Sequence, residues 1–260
     1  MIDASVGYLI RGVEVEQRKA RHTLVFWLAL AVPLLTAGLD ITAYAVNGDD
    51  ILRVRQSHTP WQHFIFHMLV MWTMLMLPMY ISLQSALVTA LEHQANAWKH
   101  IYSLPLPKWS IYFSKLFFFV GLFLISTLGL ILCTELAGWL LYWLKPELGI
   151  DPSTDSWFLV RNVVKTFLIG LGMTAIQFYL SFRYRNFIIP AAFGVFVSVI
   201  GIVVKSWAYS YVSPYLWVYL AIRDQANATN WTNGYVWAGL LTFAVVAIGG
   251  FLATYRRDID

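Results

Sequence analysis

The residues best suited to chemistry lie in the stretch HTPWQHFIFHMLVMWTMLM, residues 58–76. Four of its side chains share one helical face, at the spacing i, i+4, i+8 and i+11: His63, His67, Met71 and Met74. Imidazole and thioether groups are ligands that suit Cu(I). Alternatively, the methionines fill irregular helix contacts and the histidines lie near a membrane interface. The second interpretation is favoured, so no metal site is predicted.

Polar side chains inside long apolar runs form a second set of candidates, because such groups are costly in a bilayer and often mark a transport path. They are Asp40, Gln84, Glu135 and Gln177. Asp40 and Glu135 lie near predicted helix ends, where a solvated carboxylate costs little. Gln84 and Gln177 lie deeper and are expected to hydrogen-bond between helices. These four residues are the candidates for a substrate path.

The composition of the chain indicates the environment of these residues. Of 260 residues, 59% are hydrophobic and only 12% are charged, whereas about 25% are charged in a soluble domain. The net charge of +4 comes from basic residues that flank apolar runs, as in membrane proteins, so nucleic acid is excluded as a partner. The single cysteine, Cys133, cannot form an intramolecular disulfide. The predicted environment is a lipid bilayer.

The apolar runs predict an all-α integral membrane protein, a single domain over residues 1–260 with six transmembrane helices. The predicted spans are residues 23–46, 63–90, 111–143, 158–182, 186–205 and 233–255. Residues 1–22 precede the first span as an interfacial segment. Within it, residues 8–22 predict a helix on the membrane surface, with these side chains facing inward: Tyr8, Leu9, Val13 and Val15.

Charge and aromatic patterns predict the orientation. Lys and Arg are more numerous on the side of the N-terminus, and Trp and Tyr collect at the opposite ends of the later spans. Both features place the two termini in the cytoplasm. Residues 205–232 are too aromatic for a solvated loop, and Ser213 and Pro214 interrupt any helix there. They predict a broken outer hairpin before the sixth span, covered by protein.

The chain lacks the motifs of a nucleotide-hydrolysing or metal-dependent enzyme. The sequence contains no GxxxxGK[ST], GxSxG, HExxH or CxxC. Energy for any transport must therefore come from a partner chain or an ion gradient.

The polar stretch LEHQANAWKHIYSLPLPKWSIYFSKLF, residues 91–117, separates the second and third spans. Residues 91–103 can form an amphipathic helix, which Pro105 and Pro107 end. The ordinary interpretation is a simple connector. A short rigid helix between two spans is also what a separate motor domain would need to push on.

This stretch carries a family resemblance. The run Glu92-His93-x-x-Asn96-x-Trp98-Lys99-x-x-x-Ser103-Leu104-Pro105, followed by Tyr112-x-x-Lys115, resembles the cytoplasmic loop of ABC-2-type transporter permeases. It is most similar to the lantibiotic-immunity and bacitracin-resistance branch. The resemblance implies that residues 91–110 contain a coupling helix that docks on an ATPase. The docking residues it implies are Glu92, Asn96, Trp98, Lys99, Pro105 and Lys115.

The resemblance also implies a mechanism. Two permease chains, identical or homologous, would dimerise in a bacterial cytoplasmic membrane. A separate cytoplasmic ABC ATPase would bind ATP and Mg²⁺, so this chain would bind no cofactor. The implied cargo is an amphipathic antimicrobial peptide or a lipid-like molecule, exported or extracted from the membrane for self-protection. The alternatives are a copper-related permease that uses the His/Met face, an integral-membrane enzyme, and a non-transporting sensor or scaffold.

Overall fold

The computed structural model describes residues 2–53, 59–94, 107–184, 186–223 and 233–255, and every regular element in these ranges is a helix. Helix α1, Ile2–Ala20, is amphipathic. A tight turn follows it, in which the Thr23 hydroxyl donates to the Ala20 carbonyl at 2.8 Å. Helix α2, Leu24–Arg53, is apolar as far as Gly48. The turn therefore sets the angle between α1 and α2.

The second apolar segment is one long helix with a wide turn inside it. Helix α3, Pro60–Met71, passes through the π-helical turn Trp72–Met76 into helix α4, Leu77–Gln94. Thr59 caps its start by accepting from the Gln62 amide. Pro78 follows the π turn and has no amide proton to donate to a carbonyl four residues earlier. The widened turn accommodates this proline without ending the helix.

Helix α5, Lys108–Leu144, begins directly after Pro107 and is about 55 Å long at 1.5 Å per residue. Two 3₁₀ turns, Pro146–Leu148 and Pro152–Thr154, connect it to helix α6, Ser156–Arg183. The Asp155 carboxylate caps α6 by accepting from the Phe158 amide at 3.0 Å. Because α5 exceeds the thickness of a bilayer core, about 30 Å, it must tilt or extend beyond it.

The remaining elements are helix α7, Ile188–Val204, the 3₁₀ turn Ser210–Val212, helix α8, Trp217–Arg223, and helix α9, Gly234–Tyr255. Five of the six predicted spans are present as helices long and apolar enough to cross a membrane. The exception is the predicted span 186–205, where α7 has only 17 residues. At 1.5 Å per residue it is about 25 Å long, just short of a bilayer core.

Helix α6 is central in the bundle. Two thirds (67%) of its most apolar window is buried within the protein, against 22% for that of α9. Gly172 of α6 and Gly239 of α9 bring the two helices together, because a Cβ on Gly172 would lie 2.9 Å from the Gly239 carbonyl oxygen. Large apolar side chains such as Leu132 and Leu136 are exposed on the outside of the bundle. That distribution suits a protein surrounded by lipid.

Candidate functional site

The predicted docking segment, residues 91–110, lies only partly within the described residues. Helix α4 reaches Gln94, so the backbone of Glu92 is helical, and Pro107 precedes α5. Asn96, Trp98, Lys99 and Pro105 lie outside the described residues, and so do the side chains of residues 91–94. The roles of these residues therefore remain predictions. The structure does describe the helices on either side of the segment.

Lys115, the last predicted docking residue, lies in the second turn of α5 and is buried. Its ammonium donates to Glu16 Oε2 of α1 at 2.8 Å, and only 1% of its side chain is exposed. The other oxygen of Glu16 accepts from Lys19 at 2.9 Å. One turn of α1 earlier, Gly12 allows close approach, because a Cβ there would lie 2.6 Å from Ser114 Cβ. The structure thus makes Lys115 a buried link between α5 and α1.

The same end of α5 also packs on the helices that follow. The Tyr112 ring meets Phe178 and Phe182 of α6 at 5.4 and 5.3 Å between centroids. It also lies 5.9 Å from the Phe251 ring of α9. The start of α5 is therefore fixed to α1, α6 and α9 together.

At the predicted outer side, Asp40 of α2 contacts one of the histidines considered as metal ligands. His67 Nδ1 donates to Asp40 Oδ1 at 3.0 Å, and Asp40 is fully buried while 40% of the His67 side chain is exposed. Asp40 Oδ2 is also buried and has no hydrogen-bond partner among the described residues. The pair joins α2 to α3 with a carboxylate shielded from solvent.

The second histidine of this face has a separate partner. His63 Nδ1 lies 3.0 Å from the Tyr44 hydroxyl, and the Tyr44 ring stacks edge-on against His67 at 5.5 Å. Met71 ends α3 and Met74 lies within the π turn, so the continuous helical face assumed for the four residues is interrupted between them. The described residues contain no group of three or more His, Cys, Asp or Glu side chains that could hold a metal ion.

Gln177 of α6 is the centre of a buried polar contact between three elements. Its amide nitrogen donates to the Pro190 carbonyl at the start of α7, and its amide oxygen accepts from the Tyr215 hydroxyl at 2.7 Å. Tyr215 precedes α8, outside the long helices, and burial raises the pKa of its hydroxyl. This hydroxyl therefore remains a donor, and Gln177 joins α6, α7 and the segment before α8.

Close packing of α7 against α4 surrounds this contact. A Cβ on Gly194 would lie 1.6 Å from Ser82 Oγ and 3.2 Å from Gln177 Nε2. Helix α6 also contacts α4, where the Ser181 hydroxyl of α6 donates to Ser85 Oγ of α4 at 2.9 Å. Small and hydroxyl-bearing residues at helix contacts are typical of membrane bundles. Gln177 therefore forms the interhelical hydrogen bond that the sequence predicts, and its side chain is fully buried.

The other two path candidates lie apart from these contacts. Gln84 of α4 is buried and donates to the Val25 carbonyl of α2 at 2.8 Å. Its amide oxygen has no partner in the described part of the chain. Glu135 of α5 is partly exposed and lies beside Ser156 at the start of α6. The four candidates thus occupy separate helix contacts, and the structure does not join them into one path.

Sequence reasoning did not single out Glu16, Tyr44, Tyr215 or Gly194 as partners of these residues. For Glu16 the spacing contains a signal, since Leu9, Gly12, Val13, Glu16 and Ala20 share one face of α1. Tyr44 lies one helical turn after Asp40, so the same face of α2 presents both to α3. Nothing in the local sequence connects Tyr215 with Gln177.

These helices and contacts define a multi-pass membrane protein in which several buried polar residues join neighbouring helices. Residues 13–201 match the family described as ABC-2 family transporter protein, and this chain belongs to that family. It is a transport subunit of an ABC transporter. No curated protein sequence matches the chain significantly.

Proposed function

We propose that this chain is the permease of an ATP-driven exporter that moves or extracts an amphipathic antimicrobial peptide or a lipid-like molecule for self-protection. The family match over residues 13–201 is the observation that supports it most directly. Because the chain contains no P-loop, a separate cytoplasmic ABC ATPase binds ATP and Mg²⁺. Two permease chains, identical or homologous, form the complete pathway in a bacterial cytoplasmic membrane, with both termini inside.

The proposed coupling element is residues 91–110. Glu92 and Lys99 make charge-assisted contacts with the ATPase, Trp98 provides the buried anchor, Asn96 adds a polar contact, and Pro105 ends the helix. The burial of Lys115 against Glu16 supports this arrangement, since it ties the base of the segment to α1. A force on the segment then reaches α5 through packed side chains.

The test uses the Trp98→Ala variant in the full-length protein. Loss of a buried aromatic anchor costs about 2 kcal/mol or more of binding, so ATPase recruitment in a pull-down should fall about thirtyfold. The Glu92→Ala variant should reduce cargo-dependent ATP turnover in liposomes more than recruitment. Trp207→Ala is the matched control, because Trp207 is exposed between α7 and α8, on the predicted outer side.

Two results would count against this function. Unchanged recruitment and transport in a Trp98→Ala, Glu92→Ala double variant would make residues 91–110 a simple connector. Failure of any ABC ATPase to co-purify with the wild-type chain would instead favour a sensor or scaffold.

A further inference from the structure

A cleft opens between the second half of α1, the first turn of α2 and the adjoining face of α5. Its volume is about 750 Å³, within the range of about 300–1,000 Å³ typical of small-molecule sites. The tight turn at residues 20–23 forms one end, because it directs α2 away from α1. Gln17 of the lining is the sequence neighbour of Glu16, whose carboxylate accepts from Lys115 and joins α1 to α5.

The two parts of the cleft lining differ in chemistry. Along α2 and α5 it is apolar and includes Trp27, Phe117 and Ile125, all substantially exposed. Gly121 lies between the last two on α5, and a Cβ there would meet no atom within 4 Å. This part therefore has room for a flexible apolar chain beside large apolar side chains.

The end formed by α1 and the turn is polar and basic. Arg18, Arg21 and His22 line it, together with the single acidic residue Glu14. Glu14 is neutralised by Arg18, whose guanidinium lies 2.6 Å from its carboxylate. Arg21 and His22 make no hydrogen bond or ion pair with any of the described residues. At neutral pH the rim thus keeps the positive charge of Arg21 unbalanced.

We propose that this cleft binds a phospholipid with an anionic headgroup, with the headgroup on Arg21 and His22 and an acyl chain along Trp27 and Phe117. Basic pockets at the ends of membrane helices recognise such headgroups by charge, whereas a neutral zwitterionic headgroup gains less from an unpaired arginine. A free phosphate would leave the apolar wall uncovered. The occupant must therefore combine an anion with a long apolar chain.

Bound lipid would bridge α1 to α2 and α5. Such a lipid has no binding site in the unfolded chain, so it stabilises the folded arrangement of α1. All residues that line the cleft belong to this chain, so lipid binding can be tested on the permease alone, without the ATPase.

The test measures lipid affinity of the delipidated full-length chain in detergent by native mass spectrometry. Phosphatidylglycerol and phosphatidylethanolamine with identical acyl chains are titrated separately. We expect tighter binding of phosphatidylglycerol. Arg21→Gln should weaken it about fivefold, the effect of one basic residue near an anionic lipid surface, and should leave phosphatidylethanolamine unchanged. Arg11→Gln is the matched control, since Arg11 is exposed on α1 but lies outside the cleft.

A second variant tests the apolar part without changing charge. Gly121→Phe should fill the cleft and weaken both lipids, whereas Gly249→Phe on α9, another glycine with open space around it, should not. Three results would overturn the proposal. The first is equal affinity for the two lipids, and the second is an equal effect of Arg11→Gln and Arg21→Gln on that affinity. The third is a loss of dimer with unchanged lipid affinity in Gly121→Phe. That result would place a second copy of the chain in the cleft.

Discussion

The ion pair between Glu16 and Lys115 gives the sharpest test of how α1 is held. The Lys115 side chain is 1% exposed and that of Glu16 is 12% exposed, with 2.8 Å between nitrogen and oxygen. In Glu16→Gln the Lys115 ammonium loses the Glu16 carboxylate as a partner. Removing one partner of a buried pair costs about 3–5 kcal/mol. Because Glu16 keeps slight exposure, we expect about 2–3 kcal/mol.

A reference pair lies on the same helix. Arg18 and Glu14 are 2.6 Å apart, but their side chains are 77% and 53% exposed. Exposed pairs four residues apart on a helix contribute about 0.3–0.5 kcal/mol. Glu14→Gln should therefore have little effect, although it makes the same chemical change on α1 as Glu16→Gln.

The assay is unfolding of the purified chain in detergent, followed for the wild type, Glu16→Gln, Lys115→Met and the double variant. Lys115→Met replaces the ammonium by an apolar group. The double variant should therefore lose less unfolding free energy than the sum of the losses in the two single variants. We expect a coupling free energy of about 1–3 kcal/mol. The reasoning is refuted if Glu16→Gln is no more destabilising than Glu14→Gln, or if the two single effects add.

Three further predictions concern other contacts. Asp40→Ala should cost about 1.5–3 kcal/mol of unfolding free energy, since it removes the hydrogen bond between the buried carboxylate and the partly exposed His67, whereas Glu135→Ala should cost about 1 kcal/mol or less; equal losses would contradict the burial of the carboxylate. Gly194→Ala should cost about 1–3 kcal/mol through overpacking against Ser82, and an added Ser82→Gly should restore stability, so a double variant as unstable as the single one would disprove the close contact. Single cysteines introduced at five positions are tested by labelling from outside intact cells: Ser5, Asp50, Ser103, Ser153 and Asp258. Only those at Asp50 and Ser153 should react. Labelling at Ser103 would reverse the predicted orientation.

The apolar runs predicted the helical class because a bilayer requires long helices with internally satisfied backbone. The predicted start of α5, residue 111, differs from the observed Lys108 by three residues, since Pro107 and not hydropathy sets the beginning. The span 186–205 was harder to define. Its apolar composition continues to Val204, but composition does not show where the chain turns toward α8.

Side-chain partners were predictable only where one helix supplied the whole pattern. The His67 position followed from its helical face, but its partner Asp40 is 27 residues away on another helix. Likewise, the local sequence around Lys165 does not indicate whether this side chain is buried. The structure buries it, since α6 is surrounded by other helices. Tertiary packing, which local sequence does not encode, decides such positions.

The helices on either side of residues 95–106 differ in regularity, and this difference bears on the proposed coupling. Helix α5 continues without interruption from Lys108 to Leu144. The segment before the loop instead contains the π turn Trp72–Met76, and such turns are points where helices bend. In the proposed coupling, a displacement at the start of α5 would therefore be carried along a continuous helix, together with α1 through Lys115. The same displacement at α4 can be absorbed near the π turn, which leaves Asp40 and His67 on its far side in place.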